Sequence, residues 1–97
     1  MAGPVYKRAA QLMEAELGEE IVALDPHAGN CFGFNEVAAW VWRRLAEPAS
    51  LYQLRDELLK EYDVSEEQCS SELQALLDSL VAKRLVATAS PSAEQHR

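Results

Sequence analysis

Cysteine is nearly absent from this sequence. Cys31 and Cys69 are the whole complement of 97 residues, far too few for the disulfide framework on which small secreted domains rely. A reducing, cytoplasmic setting is the expectation. Long apolar runs are missing too. No stretch approaches the roughly 20 residues needed to cross a bilayer, and the start MAGPVYKRAA lacks the apolar segment of a signal peptide, so no membrane partner and no processing are expected. Positive charge is scarce: nine Lys plus Arg stand against sixteen Asp plus Glu, for a formal net charge of −7. A field of that sign repels phosphate backbones, which argues against nucleic acid as a partner.

Catalytic signatures are also missing. His27 falls in a turn and His96 near the end of the chain, and neither belongs to a recognisable nucleophilic arrangement. There is no CxxC, HExxH, glycine-rich phosphate loop or EF-hand pattern, and two isolated cysteines with two remote histidines do not make a zinc spacing. No enzyme activity, metal or other cofactor is expected. The length suits a single domain with a small core.

What is present is an ordered series of elements. Three short strands are expected at Leu12–Leu17, Glu20–Asp25 and Cys31–Phe34, separated by turn chemistry at Gly18-Glu19 and Pro26–Gly29. Three helices follow. Asn35 can cap a helix from Glu36 to about Leu45, before Pro48 breaks the pattern. Ser50 with Gln53, and Ser65 with Gln68, read as capping boxes that open helices at about Leu51–Tyr62 and Glu66–Arg84. The last helix spreads Cys69, Leu73, Leu76, Leu77, Leu80 and Val81 over roughly 140°, wider than one packed face needs, so it is expected to contact two things. Residues 1–11 read as a flexible segment, 12–87 as the domain and 88–97 as a disordered tail.

Several residues carry a plain and a sharper reading. The cysteines are small buried hydrophobes or facing thiols. Glu14, Glu16, Glu19 and Glu20, like Glu57, Glu61 and Asp63, form solvated faces or steer a basic partner. Trp40 shares its helix face with Arg44, as an exposed cation–π pair or as an apolar patch for a partner.

The segment GNCFGFNEVAAWVW from Gly29 to Trp42 resembles the aromatic-x-Leu-Asn-x-x-Gly-x-x-Ile-Trp signature of the PqqD-like proteins, the leader-peptide recognition elements of ribosomally made, modified peptides. The resemblance extends over about Leu12 to Val86, through ELGEEIVALDP, LYQLRDELLKEYDVSEEQ and LLDSLVAKRLV. Phe34 stands where Leu is usual and Ala38 where Gly is usual, which alters packing at the strand-to-helix corner.

The resemblance implies an α+β fold, winged helix-turn-helix-like, with a three-stranded antiparallel sheet followed by three helices. It implies non-catalytic capture of a precursor's leader peptide as a strand added beside the third strand, in a groove closed by the third helix. The implied peptide-binding residues are Asn30, Cys31, Phe32, Gly33, Phe34, Cys69, Glu72, Leu73, Leu76, Leu77 and Leu80. The implied partners are the leader peptidase and macrocyclase of lasso peptide biosynthesis, with the protein a monomer or weak dimer. Two other roles stand beside this one: a pyrroloquinoline quinone-type peptide chaperone acting with a radical enzyme, and a winged-helix DNA-binding regulator. The residues themselves are compatible with strand addition, because a meander has free edges and Gly33 allows close backbone approach.

Overall fold

The computed structural model describes residues 4–89. The elements run β1 (Val5–Arg8), β2 (Met13–Leu17), β3 (Glu20–Asp25), β4 (Asn30–Phe34), α1 (Glu36–Arg44), β5 (Ala49–Ser50), α2 (Leu51–Glu61), α3 (Glu66–Ala82) and β6 (Val86–Ala89). The expected meander is β2-β3-β4, antiparallel throughout, with β3 in the centre. Two turns set its register. Gly18 takes a φ of +65° between β2 and β3, a conformation that costs glycine nothing. Between β3 and β4 the Asp25 carboxylate accepts hydrogen bonds from the backbone N–H groups of His27 and Ala28, and Gly29 (φ +75°) donates back to the Asp25 carbonyl.

A second sheet, of order β5-β1-β6, adds to the expected meander and helices. The N-terminal stretch expected to be flexible contains β1, which pairs with β6 from Val5 opposite Ala89 to Arg8 opposite Val86. Thr88 and Ala89, assigned above to the tail, belong to β6, while residues 1–3 and 90–97 lie outside the described residues. Tyr6 is buried in the core on this strand. The side chain of Arg8 stacks over the Trp42 ring, 4.3 Å from its centroid, and donates to the Trp42 carbonyl, so the second sheet is fastened to α1.

The helices begin where their caps dictate. Asn35 accepts from the Ala38 N–H at 2.9 Å. Ser50 and Gln53 form the complete capping box, each side chain bonding the other's backbone N–H. Only half of the second box forms: Ser65 accepts from the Gln68 N–H, but the Gln68 amide donates to Glu72 instead. Helix α3 stops at Ala82, short of the expected Arg84. The Leu85 N–H reaches the Leu80 carbonyl and the Arg84 N–H that of Val81, with Arg84 at φ +64°. This is a Schellman ending, with Leu85 tucked into the core.

The core gathers Ile21 from β3, Val41, Trp42 and Leu45 at and beyond the end of α1, Leu54 from α2, Leu73 and Leu77 from α3, and Leu85 and Val86 after it, each at most 2% exposed. Trp42 is its keystone. Its ring lies 5.6 Å from that of Phe34, and its indole N–H donates to Glu14 at 2.7 Å. One of the acidic residues taken for a solvated face is thereby fixed to the core's largest side chain. Another, Glu57, accepts both Nε and Nη2 of Arg44, at 2.6 and 3.1 Å. Among the described residues the cation–π contacts are Arg8 over Trp42 and Arg55 over Tyr52, not Arg44 over Trp40, and Trp40 packs half-buried against the core.

Candidate peptide-binding groove

Strand β4 is an edge strand: β3 covers one side, and no described strand covers the other. Its residues alternate across the sheet. Phe34 is buried and Phe32 half-buried, whereas Cys31 and Gly33 are exposed. A Cβ placed on Gly33 would meet no atom within 4 Å, so the outer face of the strand is open at this position. Opposite the free edge runs the C-terminal half of α3. Between them lies a groove of about 340 Å³, walled by Cys31, Phe32, Gly33 and Phe34 on the strand side, by Asn35 and Ala38 at the corner, and by Leu76, Ser79, Leu80 and Lys83 on the helix.

Farther along α3, toward its N-terminus, a smaller apolar pocket of about 90 Å³ opens between the helices. Val37, Leu58, Tyr62, Val64, Cys69, Glu72 and Leu73 line it. Desolvation is the dominant influence here. Burial pushes the Cys69 thiol upward, keeping it protonated at neutral pH. Burial also raises the Tyr62 phenol, helped by the hydrogen bond that its hydroxyl donates to Glu36.

The residues named from the sequence thus fall into three groups. Cys31, Phe32, Gly33, Phe34, Leu76 and Leu80 meet in the strand–helix groove. Cys69, Glu72 and Leu73 meet in the smaller pocket. Asn30 opens β4 opposite Asp25 without lining either cavity, and Leu77 is wholly buried in the core. The cysteines also part company: Cys31 is exposed and Cys69 buried. The wide arc of α3 is divided accordingly, with Leu73, Leu77 and Leu80 anchoring the core and Leu76 half-buried at the groove.

Sequence reasoning missed Asn35, Ala38, Ser79 and Lys83 in the groove, and Val37, Leu58, Tyr62 and Val64 in the pocket. Ser79 and Lys83 were within reach, since they continue the Leu76 stripe at three- and seven-residue spacing. Among the described residues, no group of three or more His, Cys, Asp or Glu side chains could hold a metal ion, and no helix is long and apolar enough to cross a membrane. The groove offers backbone hydrogen-bonding groups, apolar surface and one cation, an assembly suited to holding an extended chain.

Comparison with known proteins finds the same fold elsewhere. A solved structure described as TbiB1 in complex with the TbiA(beta) leader peptide superposes with a TM-score of 0.73 at 26% identity, over 82% of this chain and 93% of that one. No match was found among curated proteins. The family model for coenzyme PQQ synthesis protein D (PqqD) matches residues 20–86, from the start of β3 to the first residue of β6, and the chain belongs to the PqqD family.

Proposed function

We propose that this protein is a leader-peptide recognition element. It captures the leader segment of a ribosomally synthesised precursor as a strand added to β4, in the groove closed by α3, and performs no chemistry of its own. The observation that carries this reading is the likeness to TbiB1, which was solved with a leader peptide. The free β4 edge supplies a physical route, because an extended peptide satisfies the unpaired N–H and C=O groups that such an edge presents. Phe32, Leu76 and Leu80 give its side chains an apolar floor.

The captured precursor is then delivered to separate enzymes, a leader peptidase and a macrocyclase of the lasso peptide type. The family model's description, coenzyme PQQ synthesis, supports a second destination, in which the protein serves as a peptide chaperone beside the radical enzyme that the resemblance implies. Calorimetric titration of the EDTA-treated protein with the precursor encoded nearby tests the shared claim. The leader segment is expected to bind one-to-one and the core segment alone not at all. Binding that appears only on adding a metal or nucleotide would contradict it. Reconstitution with each enzyme separates the two destinations, since the protein should accelerate only the one it serves.

A further inference from the structure

Glu72 on α3 and Lys83, the residue that caps its C-terminus, are eleven positions apart, three helical turns plus about 20°, so they stand on one helix face. Leu76 and Leu80 occupy the same face between them. The helix wall therefore reads acid, apolar, apolar, base. Lys83 is the sole charged side chain lining the strand–helix groove, and Glu72 the sole one lining the smaller pocket. Among the described residues neither joins a salt bridge: Lys83 donates to Ser79, and Glu72 accepts from the Gln68 amide. In a chain of net charge −7, an exposed lysine at the end of the groove is a local exception to the surrounding field.

We propose that these two charges set the direction and spacing of the bound peptide, an inference that rests on the groove reading above. Eleven residues of helix rise about 16 Å, the span of about five residues of extended chain. We orient β4 from the Lys83 level toward the Glu72 level, because its residues line the groove that holds Lys83, while Val37, three residues past its end on α1, shares the smaller pocket with Glu72. A strand added antiparallel, the sense of every pairing in this fold and the slightly more stable one, runs the opposite way. The preferred ligand thus carries a Lys or Arg, then an apolar residue facing Leu76 and Leu80, then an Asp or Glu about five positions after the base.

Selection from a displayed library of random twelve-residue peptides tests this. Wild-type protein should enrich base-before-acid sequences at a spacing of four to six. Each matched charge should contribute about two- to fivefold in affinity, an increment that shrinks as salt is added. The double variant Glu72→Lys with Lys83→Glu, both exposed positions, should enrich the reverse order. Peptides whose affinity falls in Leu76→Gln but which show no charge order would overturn this inference and leave the groove intact. Enriched peptides indifferent to Leu76→Gln would overturn the groove reading, and this inference with it. Should the double variant fail to fold by circular dichroism, the charge order selected by the wild-type protein decides.

Discussion

At single residues, the fold tolerates local cost where a neighbour compensates. Arg84 ends α3 in the left-handed region, where a side chain costs roughly 1–2 kcal/mol that glycine does not incur. Arg84→Gly is expected to stabilise the protein by about 0.5–1 kcal/mol after the greater unfolded-state entropy of glycine is allowed for; urea denaturation checks this, and a loss of stability would mean that Arg84 makes a compensating contact. The Arg44–Glu57 pair gives a pH signature. The hydrogen bond from Arg44, helped by its charge, lowers the Glu57 carboxyl below its ordinary range. A depressed folded-state value makes the contribution fully present above the unfolded-state range near 4.3, and it is lost as the pH falls through the folded value. With the Glu57 side chain 39% exposed, the pair is worth about 0.5 kcal/mol. Glu57→Gln should be less stable than wild type by that amount at pH 7, and the two should converge in acid; a constant gap would show that the ion pair is not its source.

At the level of elements, caps decided where helices begin, and they were legible because they are local. Ser followed three positions later by Gln suffices to announce a start, yet the same signal closed fully at Ser50 and by half at Ser65, since Glu72 one turn on from Gln68 competes for its amide. Ser50→Ala should therefore cost about 1–2 kcal/mol and Ser65→Ala closer to 0.5, a difference that thermal denaturation resolves. The meander was legible for the same reason, with Gly18 and Asp25–Gly29 punctuating it. The β5-β1-β6 sheet was not. Its strands are two to four residues long, and β1 finds β6 some eighty residues away, so no local pattern reports the pairing. On α3, periodicity gave the stripe but not its division: Leu77 faces the core and Leu76 the groove one position apart, a distinction set by what packs opposite. Leu76→Gln should leave the domain folded and weaken leader binding by about 1–3 kcal/mol. Calorimetry measures it, and unchanged affinity would assign Leu76 to packing alone.

Over the whole molecule, the second sheet, α1 and α2 form a base that holds α3 at a fixed distance from the free edge of β4. Trp42 links these parts, touching Phe34 on β4, Glu14 on β2 and Arg8 on β1. The result is a groove whose two walls are each anchored in the core, by Phe34 on the strand and Leu80 on the helix, which reduces the ordering cost that binding an extended peptide would otherwise carry. Backbone hydrogen exchange along β4, followed by NMR with and without the precursor's leader segment, tests strand addition most directly. Consecutive residues of a strand point their N–H groups to opposite neighbours, so the amides of Cys31, Phe32 and Gly33 should alternate. Those already bonded to β3 should be protected in both states, and those facing the groove should become protected only when the peptide is bound, while the opposite edge, β2, stays unchanged. Saturating binding that leaves the groove-facing amides of β4 exchanging at their free rate would contradict capture by strand addition.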